Sequence, residues 1–218
     1  MHKEKKKISL KVIRRLPRYY RYLQLLLSND VTRISSKQMG ASMGLTPSQI
    51  RQDFNCFGGF GQQGYGYNVA ELYQAMGEIL GTQEHFRAIV IGAGNMGQAL
   101  VNYPKFQNRG YTICGVFDVS PQLIGKTINH LKVLSIDQLE SYIAQEKPDI
   151  AILTIPHKET KPITDRLVNA GIQAIWNFSA GNLQIDEKHV VVENVHLSDS
   201  LMVLGFRLKQ LHDSQGKA

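Results

Sequence analysis

Three glycines with a fixed spacing are the residues best suited to bind phosphate: Gly92, Gly94 and Gly97 in the run GAGNMG. In a dinucleotide-binding turn the first glycine permits the tight turn and the second lets the backbone approach the pyrophosphate, while the third lets the next helix pack on the strand. Amides at the helix N-terminus then receive the phosphate charge. The candidate binding residues are Gly92, Ala93, Gly94, Asn95, Met96 and Gly97.

An aspartate at the expected distance indicates which dinucleotide this turn binds. Asp118 follows the next apolar segment, 21 residues after Gly97. A carboxylate here accepts hydrogen bonds from the hydroxyl groups of the adenosine ribose and repels a 2′-phosphate. The pattern therefore favours NAD(H) over NADP(H). The alternative is that the glycines serve only a turn between a strand and a helix.

A second group of polar residues is suited to DNA. Helix starts are indicated at Ser35/Ser36 and at Thr46-Pro47, with Gly44 between them, which predicts a helix-turn-helix. The second helix would present side chains that can bond to base edges in the major groove and to phosphates. The candidates on this helix are Ser48, Gln49, Arg51 and Gln52, with Asn55 beside them.

The segments on either side complete a winged DNA-binding domain. Apolar residues recur at helical spacing before the helix-turn-helix, and proline is tolerated in a first turn, so we predict a helix from Pro17 to about Leu27. The run Phe57–Tyr67 is rich in glycine and aromatic residues and predicts a β-hairpin wing. These segments add the candidate DNA contacts Arg14, Arg15, Arg18, Gln62 and Gln63.

The distribution of charge supports a polyanionic partner for this domain. Residues 1–80 hold 12 Lys and Arg against 5 Asp and Glu, whereas residues 81–218 hold 13 against 13, so the whole net charge of +7 lies in the first part. Basic side chains that neutralise phosphates release counterions and give affinity that does not depend on sequence. A solvated basic tail is the alternative.

The dinucleotide turn belongs to a second domain with a different pattern. From Phe86 onwards, apolar runs alternate with amphipathic segments, which is typical of a parallel sheet covered by helices. We predict a winged-helix domain over residues 1–81, a Rossmann domain over 82–195, and a C-terminal helix and tail over 196–218. The predicted strands are Ala88–Ile91, Thr112–Phe117, Ile150–Thr154, Ala174–Asn177 and Val190–Glu193, and the helices are Met96–Tyr103, Ile136–Gln145, Thr160–Ala170 and Leu197–Leu211.

Several other classes of protein do not fit the sequence. Cys56 and Cys114 have no CxxC or histidine-rich context, so we expect neither a metal site nor a disulfide framework. No apolar run is long enough to span a bilayer, and the basic start has no signal-peptide core, so we expect a cytoplasmic protein. A dehydrogenase usually needs a substrate domain and an acid/base group over the nicotinamide. His157 follows a strand at a ligand-binding edge and could line the pocket, but a surface histidine explains it equally well. No catalytic constellation can be assembled from these residues, so we expect no enzyme.

Four sequence blocks, in this order, resemble the Rex family of redox-sensing repressors. They are RLPRYYRYL at 15–23, SSKQMGASMGLTPSQIRQDFNCFGGFGQQGYGY at 35–67, GAGNMGQALVNYPKF at 92–106 and GVFDVSPQLIGKTI at 115–128. The resemblance runs through almost the whole chain. It implies a homodimer in which the terminal helix is swapped onto the partner subunit. It also implies that NADH binds the Rossmann domains and releases a palindromic double-stranded operator, typically at genes of fermentation and anaerobic metabolism.

The resemblance also assigns roles to single residues. Gly92, Gly94 and Gly97 match the glycines that hold the pyrophosphate, and Asp118 matches the residue that binds the ribose. Tyr103 matches a tyrosine beside the nicotinamide, although a core aromatic is the alternative. Arg15 matches an arginine that couples the two domains, and a further phosphate contact is the alternative.

The chain departs from the family in ways that bear on coupling. Many members have aspartate where this chain has His196, and that aspartate is expected to pair with the Arg15-type arginine in the NADH-bound form. A neutral histidine supplies no negative charge, and a protonated one repels a guanidinium. The wing has Gly58-Gly59 and Gln62-Gln63 where charged residues are common, and the run Ser179–Asn182 replaces a proline-containing loop near the cofactor.

These observations define one leading function and three alternatives. The leading function is a repressor that senses the balance of NADH and NAD. The first alternative is an NAD(H)-binding regulator with weakened redox discrimination, which the departure at His196 favours. A small NAD-dependent oxidoreductase and a CoA-binding module are the others, and Asp118 argues against CoA because it fits a ribose diol.

Overall fold

The computed structural model describes residues 8–58, 61–62, 65–181, 183, 185 and 190–215. The chain divides into two compact units that meet between Glu84 and His85, a few residues from the boundary predicted at residue 81. Each unit has its own buried core.

The first unit contains five helices, and the two helices of the predicted helix-turn-helix begin at the predicted cap residues. Ser35 caps α3 by accepting a hydrogen bond from the Gln38 amide, while the Gln38 side chain accepts one from the Ser35 amide. Thr46 caps α4 through the Gln49 amide, and Pro47 is the first residue of that helix. The helices of this unit are α1 (Leu10–Ile13), α2 (Leu16–Leu27), α3 (Ser36–Met43), α4 (Pro47–Asn55) and α5 (Val69–Leu80).

Helices α3 and α4 form the helix-turn-helix. Gly44 ends α3 in the left-handed conformation, with φ +66°. Gly40 is buried, and a Cβ at this position would lie 2.5 Å from the Leu45 carbonyl oxygen, so only glycine fits the close turn. The core beneath the motif is fully buried and mixes aliphatic and aromatic residues. It includes Leu16, Tyr19, Leu23, Met39, Ile50, Phe54, Leu72 and Met76.

The wing follows α4 as a small antiparallel sheet. Within the described residues the sheet has the order β1-β3-β2, where β1 is Arg33–Ile34, β2 is Gly61–Gln62 and β3 is Gly66–Asn68. The β2–β3 pair confirms the predicted hairpin. Strand β1 was not predicted, because two residues are too few to show an alternating pattern. The N-terminal unit is therefore a winged helix-turn-helix.

The second unit contains a sheet with the order β10-β9-β8-β4-β5-β7-β6 over the described residues. Its strands are parallel except for β6, which pairs antiparallel with β7. The hairpin of β6 and β7 is absent from the prediction, whereas each predicted strand is present within two residues at either end. The strands are β4 (Phe86–Ile91), β5 (Tyr111–Asp118), β6 (Thr127–Ile128), β7 (Leu131–Ser135), β8 (Ile150–Leu153), β9 (Ala174–Asn177) and β10 (Val191–Asn194).

Helices connect these strands and pack against two hydrophobic clusters. Helix α6 (Asn95–Val101) contributes Val101 to one cluster, and α7 (Leu139–Glu146) and α8 (His157–Asn169) contribute Leu139, Ile143 and Leu167 to the other. Helix α6 ends two residues before the predicted end at Tyr103, and α8 begins three residues before the predicted start at Thr160. The parallel sheet with its connecting helices confirms the Rossmann-like fold.

The last described element is a long helix with an exposed apolar surface. Helix α9 (Leu197–Gln215) has no buried residue. Its large apolar side chains are between 50% and 68% exposed. They are Leu197, Leu201, Met202, Val203, Leu204, Phe206, Leu208 and Leu211.

Candidate functional site

The GAGNMG turn connects β4 to α6, as the sequence predicts. Gly92 has φ +102°, and a Cβ there would lie 2.8 Å from the Thr154 carbonyl oxygen. A Cβ on Gly97 would lie 1.9 Å from the Gly92 carbonyl oxygen, whereas one on Gly94 would meet no atom of the described residues within 4 Å. The turn itself therefore requires Gly92 and Gly97. Gly94 borders open space where a pyrophosphate could approach the backbone.

A threonine on the neighbouring strand end closes this turn. The Thr154 hydroxyl donates to the carbonyl oxygens of Gly92 at 2.8 Å and Ile91 at 3.0 Å. The sequence placed Thr154 at a strand end but did not predict this role. A hydroxyl residue directly after an apolar strand at the ligand-binding edge is the signal that points to it.

Asp118 lies at the end of β5 and is bonded to the same turn. One carboxylate oxygen accepts a hydrogen bond from the Ala93 amide at 2.6 Å, and the other accepts one from the Ser120 amide at 2.7 Å. An ionised carboxylate has about four acceptor sites, so sites remain for the hydroxyl groups of a ribose. The open space at Gly94 and the acceptor at Asp118 fit a dinucleotide with an unphosphorylated ribose.

The other candidate ligand residues lie at or after the start of α6. Asn95 is exposed and Met96 is half-buried. Tyr103 follows α6 and is 46% exposed, which excludes the alternative of a core aromatic. Its ring lies edge-on to Phe106 at 4.9 Å between centroids, and Phe106 lies edge-on to Trp176 at 5.7 Å.

A buried asparagine organises the ends of β9 and β10, and sequence reasoning did not identify it. The Asn177 side chain donates to the Gly181 carbonyl oxygen at 3.0 Å and to Asn194 Oδ1 at 2.8 Å, and it accepts from the Ser179 amide at 3.0 Å. Its own carbonyl oxygen accepts from the Val195 amide at 2.8 Å. Asn177 therefore connects the turn after β9 to the residues that lead into α9.

His157 is the first residue of α8 and lines a cavity of about 430 Å³. The cavity contains none of the predicted dinucleotide-binding residues. Gly181 has φ +98°, and a Cβ there would lie 2.6 Å from the exposed His157 ring, so any other residue would strain the backbone and displace the ring. The lining residues are His157, Lys158, Thr160, Lys161, Thr164, Asp165, Gly181, Leu183 and Ile185.

The exposed side of α4 carries three of the predicted DNA contacts. Ser48, Arg51 and Gln52 are exposed on this helix. Arg51 donates to the hydroxyl oxygens of Ser36 at 3.1 Å and Ser48 at 3.3 Å, and the first of these bonds links α4 to α3. The exposed side of α4 therefore carries hydroxyl, amide and guanidinium groups, which are able to hydrogen-bond to base edges and phosphates.

Gln49 belongs to a cluster around a buried acid, Asp53, which is 1% exposed. The Arg15 guanidinium binds Asp53 through two hydrogen bonds of 2.7 Å and 2.6 Å. The Tyr19 hydroxyl donates to the same carboxylate at 2.7 Å, and the Gln49 amide donates at 2.9 Å. Sequence reasoning did not identify Asp53. Its position between Ile50 and Phe54, on the side of α4 that holds the apolar residues of the helix, was the available signal.

The charges in this cluster shift the pKa of each partner. Burial acts to raise the pKa of Asp53, but hydrogen bonds from Arg15, Tyr19 and Gln49 outweigh it and hold the pKa below its ordinary value. Burial is also the largest cause that raises the pKa of Tyr19, followed by its bond to Asp53. The bond to Asp53 raises the pKa of Arg15. Near neutral pH the cluster therefore holds an ionised Asp53 and a neutral Tyr19.

The remaining candidates are distributed over both units. Arg14 directly follows α1 and Arg18 lies in α2, and both are exposed. Arg18 donates to the Met43 carbonyl oxygen at 2.8 Å. The backbone of Gln62 lies in β2, while Gln63 lies outside the described residues. His196 is exposed directly before α9 in the second unit.

Two features are absent from the part of the chain that the structure describes. No group of histidine, cysteine or acidic side chains there has the arrangement of a metal site. None of the helices in that part is both long and apolar enough to cross a membrane.

A winged helix-turn-helix unit and a Rossmann unit with a dinucleotide-type turn, in one chain, define a class of nucleotide-responsive DNA-binding regulators. Two family models match the corresponding parts of the chain. "Putative DNA-binding protein N-terminus" matches residues 7–55, and "CoA binding domain" matches residues 83–181.

The particular family follows from the similar proteins. The redox-sensing transcriptional repressor Rex of Thermoanaerobacter pseudethanolicus is 53% identical over 95% of this chain and 92% of its own length. Rex of Clostridium beijerinckii is 50% identical over 94% of this chain and 97% of its own length. The chain belongs to the Rex family of redox-sensing transcriptional repressors, which confirms the resemblance seen in the sequence.

Solved structures agree with this assignment. The repressor RSP in complex with β-NAD⁺ and operator DNA matches with a TM-score of 0.88 and 51% identity, over 96% of both chains. RSP in complex with β-NADH matches with a TM-score of 0.89 and 47% identity, over 97% of this chain and 99% of that one.

Proposed function

We propose that this protein is a DNA-binding transcriptional repressor that senses the NADH/NAD balance, and that NADH bound to its Rossmann domain releases the operator. The observation that carries this proposal is the arrangement at the GAGNMG turn. Gly94 borders open space there, and Asp118 is bonded to the same turn. The relative RSP has been solved in complex with β-NAD⁺ and operator DNA, and in complex with β-NADH.

In this proposal, different residues of the chain bind different parts of the dinucleotide. The backbone of Gly92–Gly97 holds the pyrophosphate, with Ala93, Asn95 and Met96 in the same turn. Asp118 accepts from the adenosine ribose, and Tyr103 lies beside the nicotinamide. Bound NAD(H) supplies the redox signal, because its nicotinamide exists in an oxidised and a reduced form.

The DNA is held by the winged helix-turn-helix. Exposed Ser48, Arg51 and Gln52 on α4 approach the major groove, while basic side chains neutralise phosphates. Phosphate contacts position the domain, and base contacts give the sequence preference. The full candidate set is Arg14, Arg15, Arg18, Ser48, Gln49, Arg51, Gln52, Gln62 and Gln63.

The protein acts as a homodimer whose α9 is swapped onto the partner subunit. This helix exposes a set of large apolar side chains that a partner subunit would cover. A twofold dimer binds a palindromic operator, with its two recognition helices about one DNA turn, or ~34 Å, apart. Because such a repressor acts on chromosomal DNA, we place it in the cytoplasm.

Coupling requires that NADH bind one dimer arrangement better than the other, typically by about 1–3 kcal/mol, a factor of roughly 5–150. In the second unit, Asn177 connects the turn after β9 to the start of α9. In the first unit, the family's coupling position is Arg15, which is bonded to Asp53. A transition that uses Arg15 must therefore open or share this ion pair.

A second candidate function is a regulator that binds NAD(H) with weakened redox discrimination. The observation that favours it is His196, which stands where many family members have the aspartate that pairs with the coupling arginine. We further infer that the protein is no enzyme, since its relatives are named as repressors. The match to a CoA-binding model makes CoA a ligand to exclude by experiment.

The decisive experiment measures operator binding at fixed salt with increasing NADH, NAD⁺ or CoA. We expect NADH to weaken the affinity for a labelled palindromic operator more than NAD⁺ does, and CoA to have no effect. Equal effects of NADH and NAD⁺ would refute redox sensing and support the second candidate. Oxidation of NADH in the presence of a carbonyl substrate would refute the assignment as a non-enzyme.

A further inference from the structure

The Asp53 carboxylate has all of its acceptor sites occupied by described residues. Oδ2 accepts from Arg15 Nε at 2.7 Å and from the Tyr19 hydroxyl at 2.7 Å. Oδ1 accepts from Arg15 Nη2 at 2.6 Å and from Gln49 Nε2 at 2.9 Å. Each oxygen thus receives two donors, which matches the lone pairs of an ionised carboxylate. Of these three donor residues, Gln49 is the one that lies on α4 itself.

Asp53 determines which way the Gln49 amide points. The oxygen and nitrogen of a glutamine amide are exchanged by a half-turn of the group, so a neighbour that both donates and accepts leaves the orientation open. An ionised carboxylate only accepts, so the Gln49 NH₂ group must face Asp53. One N–H and Oε1 of Gln49 then remain without a hydrogen-bond partner among the residues that the structure describes.

The position of Gln49 makes this orientation relevant to DNA. Gln49 is the third residue of α4, and residues near the N-terminus of a recognition helix contact base edges in the major groove. Its backbone is also fixed, since its amide donates to the Thr46 hydroxyl oxygen at 3.1 Å. An amide oxygen together with one N–H is the pair that binds adenine, through its N6 donor and its N7 acceptor.

We propose that Gln49 reads an adenine of the operator and that Asp53 is the positioning residue that holds its amide ready for that base. The inference rests on the proposed function, because it requires that α4 enter the operator. Asp53 itself is buried and touches no base. Its effect is to remove the half-turned orientation, in which Gln49 would present its groups in the wrong order for adenine.

The test compares full-length variants on a set of operators in which each A·T pair is replaced in turn by G·C. One good bidentate contact contributes about 1–3 kcal/mol, so we expect wild type to lose roughly 5–150-fold in affinity at one position of each half-site. Gln49→Ala should lose the preference at that position and at no other. Asp53→Asn should reduce the same preference at least about threefold, because asparagine can donate or accept and no longer fixes Gln49.

Tyr19→Phe is the matched control. It removes a different donor from the same carboxylate and leaves the Gln49 bond intact, so it should lower thermal stability and keep the base preference. A merely structural role of Asp53 would instead give Asp53→Asn and Tyr19→Phe the same preference as wild type. The double variant Arg15→Met with Asp53→Leu covers the case in which Asp53→Asn does not fold, because replacing both partners of a buried ion pair by apolar residues is often neutral for stability. It removes the carboxylate that orients Gln49, so the preference at the same position should fall as it does in Asp53→Asn.

The outcomes separate the two levels of the proposal. Wild type that binds no operator would overturn the proposed function, and this inference with it. Wild type that binds, with a preference that Gln49→Ala does not alter, or that Asp53→Asn leaves intact, would overturn the inference alone.

Discussion

Arg15 and Asp53 form a two-point ion pair that joins the start of α2 to the last turn of α4. The guanidinium donates to both carboxylate oxygens, at 2.7 Å and 2.6 Å. Asp53 is 1% exposed, whereas the Arg15 side chain is 30% exposed. Arg15, which the family resemblance assigns to coupling, therefore already has a partner within the DNA-binding unit. The pair holds the recognition helix α4 against the start of α2.

Removing Arg15 should lower the free energy of unfolding more than removing Arg18, the exposed arginine three residues later in α2. Arg15→Met leaves a buried carboxylate with only Tyr19 and Gln49 as donors, and breaking such a pair costs about 3 kcal/mol. Arg18→Met is the control, because Arg18 is exposed and makes one bond to the Met43 carbonyl oxygen. Urea unfolding followed by circular dichroism measures both variants. Equal losses would show that the Asp53 pair is not an important source of stability.

The same cluster should make stability depend on pH in the acid range. The pKa of Asp53 is lowered in the folded state from its ordinary 3.8, so unfolding binds a proton when the pH lies between the two values. The contribution is complete above the unfolded value and is lost as the pH falls through the folded one. Asp53→Asn should therefore flatten the decline in unfolding free energy below about pH 4. Parallel curves for variant and wild type would contradict this assignment.

Two glycine-to-alanine changes in the dinucleotide turn should differ in their effect on stability. Gly94→Ala adds a methyl group to open space, so its unfolding free energy should change by less than about 0.5 kcal/mol. NADH affinity should fall at least about tenfold, because the methyl group keeps the pyrophosphate from the backbone. Gly97→Ala should lose about 3 kcal/mol of stability, because its Cβ would overlap the Gly92 carbonyl oxygen.

The single tryptophan makes both glycine variants measurable. Trp176 lies in the Rossmann unit, so its fluorescence reports unfolding of that unit and energy transfer to bound NADH. Gly94→Ala that binds NADH as well as wild type does would mean that the pyrophosphate does not approach this residue.

The sequence predicted those parts of the fold whose signals are local. The helix starts at Ser35 and Thr46 and the turn glycines at Gly92 and Gly97 depend on residues close in the chain, and the structure has them where they were predicted. The hairpin of β6 and β7 was not predicted. Its strands are short, and they form because they pair with each other, which no local pattern in the sequence shows.

The missing parts of the site have a similar cause. Asp53 and Asn177 act through partners 38 and 17 residues away, Arg15 and Asn194. No periodic pattern marks such a residue, since its importance comes from burial and from groups that the fold brings to it. Thr154 is the same case, with the Gly92 carbonyl oxygen as its distant partner.

The exposed apolar surface of α9 should be an interface. The full chain should have twice the 24.5 kDa mass of one protomer when measured by light scattering after size exclusion. Phe206→Lys should shift the mass toward the monomer, since Phe206 is 61% exposed on this helix and a lysine cannot be buried unpaired. Lys209→Ser, on the same helix, should leave the mass unchanged. A Phe206→Lys variant with the wild-type mass would place the dimer contact elsewhere.

Restoring an acid at His196 should strengthen the response to NADH. His196→Asp supplies the negative charge that the family pairs with the coupling arginine, and a hydrogen bond to a charged group contributes about 1.5–3 kcal/mol. Opening the Arg15–Asp53 pair offsets part of this free energy. We therefore expect NADH to weaken operator binding roughly tenfold more in His196→Asp than in wild type. His196→Asn is the control, because it has the same shape without the charge. In an Arg15→Met background the gain should disappear, since the added aspartate then has no guanidinium to bind. An equal NADH effect in His196→Asp and His196→Asn, or a gain that persists without Arg15, would show that coupling in this protein does not use this pair.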